Sequence, residues 1–267
     1  MVTPNRPASL AALTPANPVP QGAPGSDRRA ETPPSAVKRA RGDCSQLFFI
    51  YQGFNDRLMM PAMQFLKETG LLDRNLVMFR DIHKQFYLKG LSDSIADLAS
   101  MVSWQEECVR SLPHVRESYC VGTSMGAFAS IVGGHLLKVK TVWAFGLTRL
   151  FIVPSERGIE VPLPPVVMEN IPLRARVSRA IRRLRIRRPY LHLAELLAQG
   201  NGVTEYRLFY NRDYRRDSAV AKALAGCPGV RLFPLDGKDH NVVASLVRDG
   251  ALPHLFPPLA PAQADGR

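Results

Sequence analysis

The residues best suited to chemistry are Ser124, in Gly122-Thr123-Ser124-Met125-Gly126, and His240, in Asp236-Gly237-Lys238-Asp239-His240-Asn241. The first stretch is a G-x-S-x-G pattern. A β-compatible run, Glu117–Val121, leads into it and a small-residue, helix-compatible run, Ala127–Leu137, leads out. A serine on such a turn is held in a strained backbone conformation with its hydroxyl at the tip of a sheet, and side chains at 122 or 126 would collide with the neighbouring strand or helix. The N–H groups that open the helix point at the place where an oxyanion would form. His240 follows the last strand-like run and precedes a helix, so it can reach Ser124 as general base and then protonate a leaving group. His83, His114, His135, His192 and His254 do not follow a strand end downstream of the serine.

An acid is needed to orient the imidazole, and the loop after the preceding strand supplies two, Asp213 and Asp217. Asp213 lies two residues past the strand, as a turn carboxylate facing the histidine would. Asp217 precedes an apolar-patterned helix and could equally be its N-cap. Spacing alone leaves the choice open. Asp236 and Asp239 precede His240 too closely to align its ring. The oxyanion would be met by the N–H of Met125 and by one from the loop Gln52-Gly53-Phe54-Asn55. Gly53 permits close backbone approach there, Phe54 is the candidate donor, and Asn55 is placed to contact substrate.

The elements that must carry these residues alternate. Strand-like runs are 46–53, 75–81, 117–122, 140–146, 204–211 and 230–235. Helix-like runs are 61–69, 92–112, 125–137, 218–225 and 242–248. This predicts an α/β fold with a mostly parallel central sheet and helices on both faces. The first strand is almost continuously apolar, as expected of one buried on both sides. Arg80 and Asp81 close the second strand at the same edge, where they are expected to shape a substrate pocket or pair with each other.

Composition sets the limits. The chain has 267 residues, 46% of them hydrophobic, enough for one large core. No run of about 18 apolar residues exists to cross a membrane, and Met1–Pro20 lacks the pattern of a secretory signal. Cys44, Cys108, Cys120 and Cys227 have no metal-type spacing and are too few for a disulfide scaffold, so the cytoplasm is the expected compartment. No metal or organic cofactor is implied.

The net charge of +12 is concentrated. Eight arginines and no acid lie between Pro172 and Pro189, and residues 1–43 add a smaller excess, so the rest is almost neutral. Residues 1–43 are rich in Pro, Ala, Ser and Thr and are expected to form a disordered basic tail, with a domain over 44–256 and a flexible tail over 257–267. Residues 151–202 read as a lid-like insertion over the active edge, Pro-rich at first. A helix follows with Leu173, Val177, Ala180, Ile181 and Leu184 on one face and most arginines on the other, then a short helix around 191–198. The arginine face at 174–188 suits solvent, an anionic substrate group, a lipid surface or an acidic partner. Nucleic acid is disfavoured because aromatic residues are not interleaved.

Over about 45–256 the chain resembles a compact α/β-hydrolase, and more narrowly a group of bacterial serine hydrolase-like proteins. The resemblance rests on Arg80-Asp81 with Phe86-Tyr87 and Gly90, the elbow at 122–126, Asp217 with Ala221 and Leu224, and a run from His240 to Gly250. Ala127 departs from the common G-x-S-x-G-G form. The resemblance implies Ser124, Asp217 and His240 as a catalytic triad, favouring Asp217 over Asp213. With that triad the expected function is a serine hydrolase, an esterase above all, acting on a small-molecule, glycan or lipid ester, although the resemblance itself does not point to a substrate. An acyltransferase with the same triad and a non-catalytic protein binding an anionic partner through its arginine helix are the alternatives.

Overall fold

The computed structural model describes residues 35–149, 153–155, 158–160 and 192–260. A seven-stranded sheet runs through the molecule. Its strands are β1 (Ala36–Arg39), β2 (Gln46–Tyr51), β3 (Asn75–Phe79), β4 (Glu117–Thr123), β5 (Thr141–Phe145), β8 (Glu205–Asn211) and β9 (Val230–Leu235), in the order β1-β3-β2-β4-β5-β8-β9. A separate antiparallel pair is formed by β6 (Val153–Ser155) and β7 (Gly158–Glu160). All neighbours in the large sheet are parallel except β1 and β3.

Every residue of β2 is buried, and the strand's two faces feed two separate cores. Leu47, Phe49 and Tyr51 pack on one side with α2 (Leu98–Arg110), α3 (Met125–Leu137), α4 (Leu193–Ala198) and α5 (Arg215–Ala223). Phe48 and Ile50 pack on the other with α1 (Ala62–Glu68) and α6 (Val242–Arg248). A strand covered on both faces needs apolar residues at every position, which is why β2 shows no alternation. The helix expected over 92–112 begins only at Leu98, because Asp97 caps it: its carboxylate accepts the Ser100 N–H, and the Ser100 hydroxyl accepts the Asp97 N–H.

Two expectations about the ends need correction. The disordered tail predicted for 1–43 does not extend through it, because 36–39 form edge strand β1. Backbone pairing with β3 needs no large apolar side chains, so composition gave no warning. The basic cluster at 38–41 is built into this edge, with Lys38 Nζ donating to Ser111 Oγ (3.0 Å) and Arg41 paired with Asp43 (3.0 Å). Residues 1–34 lie outside the described residues. At the other end, the flexible tail predicted for 257–267 is tied down over its first four residues. The buried Arg74 guanidinium donates to the carbonyls of Pro257 (2.8 Å) and Pro258 (3.3 Å), and Ser45 N–H to that of Ala260 (3.1 Å). An isolated arginine in the sequence does not reveal that its partners are backbone carbonyls nearly 200 residues away. Of the insertion, the short helix is present as α4, whereas the arginine-rich helix at 174–188 lies outside the described residues.

Candidate active site

Parallel strands β2, β4, β5 and β8 end at one edge of the sheet, and the loops that follow them converge there. Ser124 joins β4 directly to α3, with φ 53° and ψ −115°, a conformation an L-residue adopts only under constraint. Its N–H donates to the Phe145 carbonyl (2.8 Å). The flanking glycines are required by packing. A Cβ on Gly122 would lie 2.2 Å from the Gly126 carbonyl oxygen, and one on Gly126 would lie 2.2 Å from that of Tyr51. Ala127, the departure from the common elbow, is fully buried in the core beside α2 and β2.

Gly126→Ala should therefore destabilise the fold. Alanine in a helix is normally better than glycine by roughly 0.5–1 kcal/mol, but here the new methyl must displace backbone. We expect a net loss of about 1–3 kcal/mol in urea unfolding. Gly42→Ala, where nothing lies within 4 Å, is the comparison and should stay within about 0.5 kcal/mol of the parent.

His240 follows β9, and its Nδ1 lies 2.6 Å from Asp217 Oδ2. Asp217 is fully buried in the first turn of α5, three residues after the N-cap Tyr214, so it is not the helix cap. Burial pushes its carboxyl pKa up, and the hydrogen bond and positive charge of His240 pull the other way. Asp213 is exposed and makes no hydrogen bond to His240. His240 Nε2 is shielded from solvent and has no hydrogen-bond partner among the described residues. The loop carrying His240 is clamped by Asn211, the last residue of β8 and fully buried: its amide donates to the Asp239 carbonyl (3.0 Å) and accepts from the Ser245 hydroxyl (2.9 Å). A Cβ on Gly237 would strike that amide. Asn211 has no signature of its own in the sequence; its position at a strand end is the only hint.

The loop after β2 faces the serine. Gly53, expected to let the backbone approach the oxyanion, donates its own N–H to the Arg57 carbonyl (2.8 Å), which closes the loop into a tight turn. The Phe54 N–H makes no hydrogen bond among the described residues. Met125 opens α3, so its N–H has no carbonyl one turn back within the helix. Asn55 lies at the rim. Arg80 and Asp81 do not pair with each other among the described residues, and neither lines the two clefts that border Ser124. Asp81 is fully buried, and its carboxylate accepts the N–H groups of His83 (3.1 Å) and Tyr87 (2.9 Å). The Tyr87 hydroxyl in turn reaches the carbonyls of Gln52 (2.9 Å) and Phe79 (3.1 Å). The Arg80 side chain is exposed and its N–H donates to Ser35. The Arg-Asp…Phe-Tyr…Gly segment is thus a brace under the loop that carries Phe54. Its strain is visible in positive φ at Lys84, Phe86 and Tyr87.

Two clefts meet at Ser124 and His240. One, of about 320 Å³, is walled by Phe86, Thr148, Arg149, Tyr214 and Arg216; the other, of about 520 Å³, by Asn55, Arg57, Met59, Asp239 and Asn241. Phe54, 59% exposed, borders both. Of the first cleft's wall, the sequence pattern flagged none as binding residues; Thr148 and Arg149 lie in the loop that follows β5, three and four residues past its end, and that position was the available signal. Among the described residues no group of His, Cys, Asp and Glu is arranged to hold a metal, and no helix is long and apolar enough to cross a membrane.

No protein-family profile matches the chain, and no curated protein matches it. Solved structures do. Est1E from Butyrivibrio proteoclasticus, solved with ferulic acid bound, superposes with a TM-score of 0.50 at 12% identity over 82% of this chain and 92% of its own. The esterase Est22 superposes with a TM-score of 0.50 at 15% identity over 81% of this chain and 71% of its own.

Proposed function

The chain has the α/β-hydrolase fold, and on that frame we propose that it is a serine hydrolase, an esterase, with Ser124, His240 and Asp217 as its catalytic triad. The observation that carries this reading is the 2.6 Å contact between His240 Nδ1 and the buried Asp217 carboxylate, at the cleft edge where Ser124 stands on a strained elbow. A buried carboxylate on Nδ1 fixes the imidazole with its proton on that nitrogen and leaves Nε2 as the base. Nε2 then takes the Ser124 proton as Oγ adds to the ester carbonyl. The oxyanion that forms accepts from the N–H groups of Met125 and Phe54. Collapse expels the alcohol oxygen, protonated by His240, and leaves an acyl-serine. Water, deprotonated by His240, attacks that ester and regenerates the serine. The two clefts that both border Ser124 offer room for the two halves of an ester. The fold likeness to esterases is consistent with this chemistry and says nothing of the substrate.

The test is labelling of the purified protein by a fluorophosphonate, with turnover of a p-nitrophenyl ester series of increasing acyl length. Stoichiometric labelling and ester turnover are expected. A protein that neither labels nor hydrolyses any member of the series is not a serine hydrolase.

A further inference from the structure

Among the described residues the wall of the first cleft carries positive charge without an acid to balance it: Lys84, Arg149 and Arg216 line it and no described Asp or Glu does. Lys84 is already used: its ammonium pairs with Asp56 (2.5 Å) and stands 5.9 Å from the Phe54 ring centre. Arg149 and Arg216 make no hydrogen bond or ion pair among the described residues. Arg149 is half-buried, and burial together with the charge of Arg216 lowers its pKa from the usual arginine value, although an arginine stays protonated throughout the ordinary pH range. Arg216 occupies the first turn of α5, where the positive end of the helix dipole disfavours a cation. The neighbouring Asp217 carboxylate is buried and turned to His240; it feels the charge of Arg216 but forms no ion pair with it among the described residues. Two like charges in one cleft, Arg149 half-buried and Arg216 exposed at the unfavourable end of a helix, oppose stability. An anionic ligand would offset that opposition.

Resting on the esterase reading, we propose that the substrate is an anionic ester, whose carboxylate or phosphate group is held by Arg149 and Arg216 in the cleft beside Ser124. Guanidinium groups match such oxyanions with paired N–H donors, and partial burial strengthens the contact. The neutral parts of the ligand lie against Phe86, Tyr214 and Phe54. Arginines serving only the oxyanion of the reaction would assist all esters alike. Arginines holding a substrate anion assist charged esters selectively.

Two matched pairs test this. Mono-p-nitrophenyl glutarate against p-nitrophenyl valerate places the charge on the acyl side, and 4-acetoxybenzoate against phenyl acetate places it on the alcohol side. For at least one pair, the anionic-over-neutral ratio of kcat/KM should fall roughly 10- to 100-fold in Arg149→Gln, the range of a lost charge-assisted contact. Inhibition by benzoate against phenyl phosphate distinguishes a carboxylate from a phosphate site. Ratios that Arg149→Gln and Arg216→Gln leave unchanged, or equal losses on charged and neutral esters, overturn the inference while leaving the hydrolase reading intact. Should the protein turn over none of the four esters, fluorophosphonate labelling and the full p-nitrophenyl series decide the hydrolase reading separately. Calorimetric binding of mono-p-nitrophenyl glutarate then decides the anion site: at least tenfold weakening in Arg149→Gln supports it, and unchanged or undetectable binding in both proteins overturns it. Circular dichroism checks that each variant is folded.

Discussion

Ser124→Ala is expected to abolish fluorophosphonate labelling and to lower kcat for the best p-nitrophenyl ester by about 10⁵- to 10⁶-fold, the scale on which loss of a serine nucleophile acts. The same scale applies to His240→Ala, and the double variant should be scarcely worse than either, because the two residues form one proton-transfer unit. A structural role for Ser124 predicts something different. Its φ of 53° and ψ of −115° make the position costly for any residue with a Cβ, by about 1–3 kcal/mol. Ser124→Gly should accordingly stabilise the fold while removing activity. Gain of stability with loss of labelling would mark strain held for chemistry. A variant that keeps its ester turnover would remove Ser124 from the mechanism.

Asp217→Asn is expected to lower kcat by about 10³- to 10⁴-fold. An amide presents the imidazole with a neutral partner that can favour the wrong tautomer, and it no longer compensates the imidazolium that forms in the transition state. Asp213→Asn should change kcat by less than about twofold, since an exposed side chain without a bond to His240 is a surface substitution. Stability again separates the roles. Burial already disfavours the charged form of Asp217, so a neutral isostere should leave the urea midpoint unchanged or raise it slightly. Equal activity losses at 213 and 217 would refute the assignment, as would a large fall in stability accompanying a small fall in kcat. The contrast bears on the cleft chemistry too, because Arg216 lies beside this carboxylate in sequence and its own variant is a test of substrate charge.

The strand-and-helix order was legible because it depends on local patterns. The apolar run of β2, the glycines of the elbow and the apolar periodicities of the helices each report burial or backbone geometry over a few residues. Ser124 and His240 were legible for the same reason: each stands at a strand end that the pattern marks, one before α3 and one before α6. The two aspartates were not separable by spacing. They stand four residues apart in sequence, and the structure puts Asp213 in the loop before the N-cap Tyr214 and Asp217 in the first turn of α5, a boundary that spacing does not reveal. Arg80 and Asp81 illustrate the opposite error. Their place at a strand end was read correctly, but the carboxylate is turned to backbone N–H groups of its own loop, a choice set by the positive-φ path from Lys84 to Tyr87.

The sequence by itself therefore determined the layered α/β architecture, the elbow and the candidate base, since local periodicity and a steric demand for glycine are properties of short stretches. Only the tertiary structure decided that Asp217 meets His240, that Asn211 clamps the histidine loop, that 36–39 and 257–260 close the sheet's periphery, and that Arg149 and Arg216 share a cleft. Those are contacts between side chains or backbone groups far apart in the chain. Their energies are set by burial and by distance in space, neither of which is written in the order of the residues.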